Sequence, residues 1–349
     1  MKNFTITFTL CCLLLVTGCN KQASPPSSSQ PATSIRIGWQ TGWATQGQLA
    51  QVLKRTDILE RHGLAGDFKG FSYGGPLNEA ALAGEVDVIF TADQPAATLI
   101  ARGAKWKIVA RLIDFRACLI VPPDSPAKTT ADLRGKTVAI PYGSATHRIA
   151  LSMFKKSGLT PDADVKLRNL DILEQSALAQ TASDGRWGEV DALASWDPTV
   201  ALLESKKLAR VLEMRPALAV VVMSEDFLKK NPEAAVRFLK SYRLAYAYYA
   251  THATQANSWF IEETKTALPP GVLDAAATFE RNMKAKSVNE VQIGISDSEI
   301  AAIQEGADFG LAQKLTTRSP SMREAIDQSF LNSAATSPEL MKLEEVRAK

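Results

Sequence analysis

The stretch KTVAIPYGSATHRIALSMFKKSG, from Lys136 to Gly158, combines a short strand, a glycine turn and an amphipathic helix. Thr137 to Ile140 is β-branched and apolar, as expected of a buried strand, and the Pro-Tyr-Gly that follows interrupts it. From Ser144 onward the apolar residues recur at helical spacing, and Gly158 stands where the helix should end. The pattern therefore predicts a strand that leads through a glycine turn into a helix.

The start of this helix is a candidate anion-binding site. The first turn of a helix has N–H groups without intrahelical partners, and the macrodipole adds about half a positive charge there. Gly143 allows a ligand to approach the backbone, and Ser144 and Thr146 offer hydroxyl donors. The same pattern also fits an ordinary strand-to-helix turn that is capped by its own serine. This stretch alone does not distinguish the two interpretations.

The N-terminus has the pattern of a secretory signal, with one lysine followed by an apolar run too short to span a bilayer. The run ends in Leu-Val-Thr-Gly-Cys, which resembles the lipobox of bacterial lipoproteins. We expect a lipoprotein signal peptide over 1–18, lipidation at Cys19 and, from Asn20, sorting to an outer membrane if the organism has one. The alternative is an ordinary signal peptide with an unrelated cysteine. Residues 19–34 are rich in Ser, Pro and Gln and predict a flexible tether.

Composition and charge argue against several classes of protein. The net charge is only +3 with both signs interspersed, which does not indicate a nucleic-acid surface. Cys118 has no partner if Cys19 is lipidated, so we expect no disulfide and a buried thiol. The three histidines are widely separated, so no metal site is expected, and His147 has no nearby Ser/Asp constellation that would indicate catalysis.

Strand and helix patterns alternate along the chain from Ser34 onward. Strands are predicted at 35–38, 68–73, 86–90, 107–112, 137–140, 165–170 and 218–223, with another after Gly188. Helices are predicted at 48–61, 77–83, 96–102, 174–183, 272–283 and 297–309, and from 232 onward, where a tyrosine stripe is expected to pack in the core. This alternation predicts an α/β fold with a doubly wound, mostly parallel sheet.

Ligands of such sheets bind at the carboxyl ends of the strands. Four loops lie at predicted strand ends: 39–43, 73–76, 91–95 and 141–146. They combine glycine, aromatic side chains and uncharged donors, which is unusual for plain connections. Gly-Glu-Val-Asp, an apolar strand and an Asp near a Pro occur both from Gly84 and from Gly188, which suggests two similar lobes facing one cleft.

Four motifs resemble, in order and spacing, the substrate-binding lipoproteins of ABC importers. The resemblance is to the nitrate, sulfonate and taurine branch, which is also grouped with thiamine-precursor binding proteins. The motifs are GEVD at 84–87 with DQP at 93–95, DLRGKTVA at 132–139 with the following Gly-Ser, GEVDA at 188–192 with WDP at 196–198, and SEDFLKKNPEA at 224–234. Together they cover about 35–315.

The resemblance implies a type 2 periplasmic-binding-protein fold, with two lobes of mixed, mostly parallel sheets joined by a hinge. Lobe 1 would comprise 35–118, lobe 2 would comprise 119–220, and 221–315 would return to lobe 1. Residues 316–349 would form a polar tail, helical or frayed. The strands that cross between the lobes would lie at 119–121 and 219–222.

The resemblance also places a small ligand between the lobes, without cofactor, metal or catalytic residue. The implied ligand-binding residues are Trp39, Gln40, Trp43, Gly74, Asp93, Gln94, Gly143, Ser144, Ala145, Thr146, Trp196 and Asp197. A carboxylate at Asp93 would suit a ligand that also carries an amine, as taurine does. Arg116 and Arg148 are candidates to neutralise an anion, and Asp197 is alternatively a capping or hinge residue before Pro198.

The function implied is that of a monomeric, extracytoplasmic solute-binding component, which captures a small organic anion of the sulfonate or taurine type. It would deliver this anion to an ABC permease and ATPase. Alternatives are a thiamine-precursor (pyrimidine) or aromatic-acid binding protein, a receptor that presents its ligand to a sensor, or an enzyme on the same fold. The several tryptophans near the predicted cleft favour an organic ligand over nitrate.

Overall fold

The computed structural model of the chain describes residue 1 and residues 32–182, 187–336 and 341–349. The predicted signal peptide after Met1, the lipidation site Cys19 and the tether up to Pro31 lie outside the described residues. Among the residues that are described, no helix is both long and apolar enough to cross a membrane.

The described residues form one sheet in the order β2-β1-β3-β8-β4-β7-β5-β6. The strands are β1 Thr33–Gln40, β2 Leu64–Phe71, β3 Val88–Ala92, β4 Trp106–Val121, β5 Thr137–Ile140, β6 Lys166–Asn169, β7 Ala192–Ser195 and β8 Arg210–Ser224. Parallel pairing joins β1 to β2 and β3, and joins β5 to β6 and β7, whereas β3–β8, β4–β7 and β4–β8 are antiparallel. The predicted α/β class with a mostly parallel, mixed sheet is confirmed.

Helices connect the strands and form the C-terminal third of the described chain. They are α1 Gln46–Arg55, α2 Ile58–Arg61, α3 Gly74–Leu82, α4 Asp93–Ala101, α5 Ala145–Lys156, α6 Ile172–Thr181, α7 Thr199–Ser205, α8 Glu225–Lys230, α9 Pro232–Thr251, α10 Ala253–Thr264, α11 Val272–Ala277, α12 Asp297–Ala312, α13 Met322–Ala325 and α14 Ser329–Thr336. Short 3-10 turns lie at Thr130–Leu133, Arg281–Lys284, Val288–Glu290 and Leu343–Glu345.

Several predicted elements differ from the observed ones, and the helix predicted over 272–283 is α11 followed by a separate 3-10 turn. The helix predicted over 48–61 is two helices, because Thr56 is extended (φ −120°, ψ 165°) and pairs with Ala348 near the C-terminus. The loops predicted at 73–76 and 91–95 are mostly helix, since α3 and α4 begin at Gly74 and Asp93. Each carries its proline in the first turn, where a missing N–H costs nothing.

The sheet consists of two similar flanks. We call β2, β1 and β3 the first flank, and β6, β5 and β7 the second flank; in each, the first strand of the chain lies between the other two. In the first flank Asp87 Oδ2 accepts the Arg36 N–H (2.9 Å), and the Asp87 N–H donates to the Arg36 carbonyl (2.8 Å). In the second flank Asp191 and Thr137 form the same pair, at 2.9 and 2.9 Å. The repeated Gly-Glu-Val-Asp sequence therefore corresponds to a repeated structure.

The long strands β4 and β8 run through both flanks. β8 pairs with β3 through Ala219–Met223, and β4 pairs with β7 through Cys118–Ile120. Between these points Asp114–Ala117 and Arg215–Leu218 pair only with each other. The crossing thus lies nearer the middle of each strand than the predicted 119–121 and 219–222. The lobe boundaries at 118 and 220 remain predictions.

The tyrosine stripe of α9 packs in the core, as predicted, and supports β4 at an irregularity. The register between β4 and β8 shifts between Arg111 and Asp114, which leaves backbone carbonyls without ladder partners. The Tyr242 hydroxyl donates to the Arg111 and Leu112 carbonyls (3.0 and 3.1 Å), and the Tyr246 hydroxyl donates to the Leu112 carbonyl (2.9 Å). Both side chains are fully buried.

The C-terminal segment is packed rather than frayed where it is described. Met322 and Met341 are buried, at 0% and 3% exposure. Ile326 forms a bridge with Ile108 of β4, and Ala348 forms the bridge with Thr56. Composition alone predicts a polar tail because few residues of this segment are apolar.

A buried ion pair fastens the segment before α12 to the same irregular part of β4. Arg111 donates to both oxygens of the Glu280 carboxylate (3.1 and 2.6 Å), and both side chains are fully buried. The Glu280 carboxylate also accepts the N–H groups of Asp114 (2.6 Å) and Asn282 (2.8 Å). Arg111 also lies 2.7 Å from the Asp114 carboxylate and 3.5 Å from that of Glu299, so opposite charges offset the cost of burying it.

Replacing Glu280 by Gln should lower the free energy of unfolding by about 3–5 kcal/mol, because Arg111 keeps its charge in the interior without its main partner. Urea denaturation followed by circular dichroism measures this. Asp226→Asn, which removes an exposed ion pair with Lys230, is the control and should leave the midpoint unchanged. Equal, small effects of both substitutions would contradict the importance of the buried pair.

Candidate functional site

A small cavity of about 20 Å³ lies where loops from both flanks meet the crossing part of β4. Its lining residues come from the ends of β1, β3, β5 and β7, the starts of α3, α4 and α5, and the middle of β4. They are Gln40, Trp43, Tyr73, Gly74, Ala92, Pro95, Phe115, Ser144, Ala145, Thr146 and Trp196. No charged side chain is among them. Pockets for drug-sized ligands are about 300 Å³ or larger, so a ligand enters this cavity only when its walls move apart.

The N-terminus of α5 forms one wall of the cavity. Ser144 is its N-cap, and its hydroxyl accepts the His147 N–H (3.0 Å) while its carbonyl accepts the Arg148 N–H (3.4 Å). The N–H groups of Ala145 and Thr146 belong to the first turn and have no partner within the helix. Gly143, with φ of 78°, makes the turn in a left-handed conformation that favours glycine. These two amides are the donors predicted from the sequence.

Two further donors on the lining have no hydrogen-bond partner. The Thr146 hydroxyl and the Trp196 indole N–H are buried, on side chains that are 2% and 4% exposed. Leaving a buried donor unpaired costs about 1–3 kcal/mol, so native structures rarely do so without a ligand or water. With the amides of Ala145 and Thr146, this makes four uncharged donors on residues that line the cavity.

Aromatic side chains form the remaining walls. The rings of Trp43 and Phe115 meet edge to face, with centroids 4.6 Å apart. Tyr73 stands beside them at the start of α3, and burial raises the pKa of its phenol, so the ring stays neutral. Gln40 is held by its side-chain amide, which donates to the Phe90 carbonyl (3.0 Å). These surfaces suit an apolar or flat group.

The carboxylate of Asp93 is paired with Arg148 across the two flanks. Asp93 begins α4 after β3, Arg148 lies on α5, and their side chains are 1% and 13% exposed. Arg148 also lies 3.6 Å from the Glu305 carboxylate. Burial raises the pKa of Asp93, although Arg148 opposes this shift. The expectation that Asp93 would meet a ligand's amine, and that Arg148 would neutralise an anion, does not fit this pairing.

Asp197 is paired in the same way on the other side of the cavity. Its carboxylate accepts two hydrogen bonds from Arg116 (2.8 and 3.0 Å) and one from the Ala201 N–H (3.0 Å). Arg116 also donates to Glu204 (2.9 Å), so its charge is offset by two carboxylates. Asp197 therefore caps α7 and fixes the crossing strand. Asp197 thus has the capping role that was the alternative to ligand binding. Arg116 is paired with two carboxylates and is not a free cation in the cavity.

Comparison with known proteins identifies the family. The model of the family described as NMT1/THI5 like matches residues 71–256 of the chain. The chain belongs to the NMT1/THI5-like family.

Relatives of this NMT1/THI5-like protein include binding proteins from two bacteria. A Bacillus subtilis (strain 168) protein named for binding aliphatic sulfonates is 23% identical over 329 residues, covering 92% of this chain and 94% of its own. The taurine-binding periplasmic protein of Escherichia coli (strain K12) is 26% identical over 221 residues, covering 60% and 64%. The family resemblance predicted from the motifs is confirmed.

Solved structures share the fold. The alkanesulfonate-binding protein SsuA from Xanthomonas axonopodis pv. citri, bound to MOPS, has a TM-score of 0.68 at 22% identity, covering 86% of this chain and 99% of its own. The desulfurization enzyme DSZB has a TM-score of 0.65 at 15% identity, covering 87% and 99%. The predicted periplasmic-binding-protein fold is confirmed by the first of these. The second shows that the same fold also hosts an enzyme.

The cavity of this NMT1/THI5-like protein includes only part of the predicted ligand-binding set. Those on its lining are Gln40, Trp43, Gly74, Ser144, Ala145, Thr146 and Trp196. Those off the lining are Trp39, Asp93, Gln94, Gly143 and Asp197. Trp39 is buried against Gly47 and Gly70, and the Gln94 side-chain amide donates to Thr98 (3.2 Å).

Four lining residues were not singled out by the sequence analysis. Tyr73, Ala92 and Pro95 lie in the loops predicted at 73–76 and 91–95, next to residues that were predicted to bind the ligand. Phe115 carries no loop signal, since it lies within β4 where that strand crosses between the flanks. The described residues contain no group of three or more His, Cys, Asp or Glu side chains that is placed to hold a metal ion.

His147 supports the turn before α5 as a neutral imidazole. Its Nδ1 accepts the Gly143 N–H (3.2 Å), and its ring stacks on Tyr142 with centroids 4.9 Å apart. Phe309 of α12 meets the ring edge-on at 5.5 Å. Burial lowers the pKa of His147 to about 4, because the charged form would lose its hydration.

The pH dependence of stability should reveal this histidine. Its pKa of about 4 in the folded protein lies below the usual 6.5, so its contribution is present above pH 6.5 and is lost as pH falls through 4. The loss amounts to about 3 kcal/mol. Urea denaturation at pH 7.5 and pH 4 should show a smaller difference for His147→Gln than for the wild type.

His252→Gln, at an exposed histidine, is the matched control and should keep the wild-type pH dependence. A His147 variant with the same pH dependence as the wild type would mean that the imidazole is not held neutral.

Proposed function

We propose that this chain is the extracytoplasmic solute-binding component of an ABC importer and that it captures a small organic anion of the sulfonate class. The observation that carries the proposal is the set of four uncharged donors on residues that line the cavity, two of them buried without partners. An anion placed there accepts these hydrogen bonds and interacts favourably with the helix dipole. The names of the aliphatic-sulfonate and taurine relatives support this choice of anion.

Binding would couple to closure of the two flanks. The α5 donors belong to the second flank, whereas Gln40, Trp43 and Tyr73 belong to the first. A ligand therefore makes all its contacts only when the flanks are close, and it shifts the population toward that arrangement. The Asp93–Arg148 pair and the hydrogen bond from the Ala44 N–H to the Asp197 carbonyl (3.1 Å) hold the same arrangement.

The side chains support a binding role over catalysis. Cys118, the cysteine of the described residues, is buried off the lining, and burial raises the pKa of its thiol to about 12. The Ser144 hydroxyl accepts a backbone N–H, and the His147 imidazole accepts the Gly143 amide, so the two do not form a nucleophile–base pair. Anchoring through a lipid on Cys19, on the periplasmic face of a membrane, is proposed from the lipobox-like sequence alone.

A thermal-shift screen tests the ligand class, because a ligand that binds only the native state raises the melting temperature. Alkanesulfonates should stabilise the protein, and nitrate, aromatic carboxylates and pyrimidines should not. Ser144→Asp should abolish the shift, since aspartate still caps α5 but repels an anion at the same place.

Ser224→Asp is the matched control, because Ser224 caps α8 in the same manner, accepting the Phe227 N–H, away from the cavity. It should keep the wild-type shift. Stabilisation by a neutral pyrimidine alone would contradict the proposal that the ligand is an anion. Turnover of a substrate without stabilisation would favour the alternative that the protein is an enzyme.

A further inference from the structure

The proposed function leaves open which sulfonate the cavity accepts, and the charges around it restrict the choice. The notable feature is a cavity without any charged side chain on its lining, although four charged residues lie close by. Each of those four has an opposite charge as its partner. They are Asp93, Arg148, Asp197 and Arg116.

The two carboxylates are the groups that an ammonium on the ligand would need. Asp93 is fully occupied by Arg148 and by the N–H of Gln94 (2.7 Å). Asp197 accepts two hydrogen bonds from Arg116 and one from the Ala201 N–H. Neither carboxylate lines the cavity. An ammonium in the cavity would therefore lose its hydration without gaining an ion pair, which is strongly unfavourable.

Aromatic rings make up much of the lining outside the helix N-terminus. Trp43, Tyr73 and Phe115 offer apolar faces, and the Trp43 and Phe115 rings are already in contact. Burying an aliphatic or aromatic tail there is favourable in proportion to its apolar area. An uncharged tail fits these walls and a charged one does not.

Trp196 offers a hydrogen-bond donor to the charged head of the ligand. Its indole N–H is buried, lines the cavity and has no partner, and an indole nitrogen can only donate. Thr146 adds a hydroxyl whose oxygen also lacks a partner. Two side-chain donors and two amides match the three oxygens of a sulfonate, each of which can accept more than one hydrogen bond.

We infer that the ligand is an organic sulfonate with an uncharged, apolar tail, and that the site discriminates against aminosulfonates such as taurine. Trp196 acts as a head-group donor in this selection, and the paired carboxylates Asp93 and Asp197 withhold the partner that an ammonium requires. The inference rests on the proposed function, since it specifies the ligand of the same cavity.

Isothermal titration calorimetry of the purified protein with ethanesulfonate and taurine tests the selection, because the two differ mainly in the ammonium group. Ethanesulfonate should bind at least about tenfold more tightly than taurine, and butanesulfonate should bind more tightly still through its longer apolar tail. Taurine binding as tightly as ethanesulfonate, or more tightly, would overturn the inference and leave the proposed function intact. Absence of binding by every sulfonate would overturn both.

Trp196→Phe tests the head-group donor, since phenylalanine keeps an aromatic wall but has no N–H. The substitution should weaken the binding of ethanesulfonate and of butanesulfonate by about the same factor, roughly tenfold, because both ligands carry the same sulfonate group. Trp106→Phe, at a buried tryptophan of β4 outside the lining, is the control and should bind as the wild type does. A Trp196 variant with unchanged affinity, or a loss that grows with tail length, would overturn the assignment of the indole to the head group.

Discussion

The pairing of β4 with β8 is the constraint on which the rest of the structure depends. These strands belong to both flanks, so they fix how the carboxyl ends of β1 and β3 lie relative to those of β5 and β7. The crossing part of β4 also supplies Phe115 to the cavity and Arg116 to Asp197. Its irregular register is stabilised by Tyr242, Tyr246 and the Arg111–Glu280 pair, which tie it to the C-terminal third of the chain.

Around the cavity, the charged side chains pair with each other and are not available to contact a ligand. Asp93 and Asp197 stand at equivalent places, each just after the last strand of its flank, and each is paired with an arginine that is only slightly exposed. Once these four charges satisfy each other, hydroxyl, indole and backbone N–H groups are the donors left facing the cavity. Uncharged donors at a helix N-terminus hold an anion without the desolvation cost of an unpaired cation. Because the two carboxylates are already paired, a positive charge on the ligand would find no partner in the cavity.

The sequence predicted the fold well and part of the cavity lining. The strand at Thr137–Ile140 and the helix capped by Ser144 were predicted within a residue or two, because periodicity, proline, glycine and a capping serine agree there. The repeated Gly-Glu-Val-Asp correctly indicated two similar halves. The extent of β4 and β8 was not predicted, since a strand that changes its neighbours midway has no distinct pattern.

The differences between the predicted site residues and the cavity lining have a physical origin as well. Trp39 and Gln40 are adjacent at a strand end, where side chains alternate between faces, and a sequence pattern does not show which one faces the cavity. Asp93 and Asp197 were expected to meet the ligand, but pairing with residues 55 and 81 positions away removes them, and only the tertiary structure reveals such partners. Phe115 was missed because ligand-facing residues were sought in loops.

The central claim is that the N-terminus of α5 binds a sulfonate whose tail points to the aromatic walls. The most direct measurement is a crystal structure of the protein with 2-bromoethanesulfonate, using the anomalous signal of bromine to orient the ligand. The account predicts sulfonate oxygens about 3 Å from the amide nitrogens of Ala145 and Thr146 and from the Trp196 indole nitrogen, with bromine beside Trp43 and Phe115. A bromine peak at the helix end, or a ligand bound outside this cavity, would contradict it.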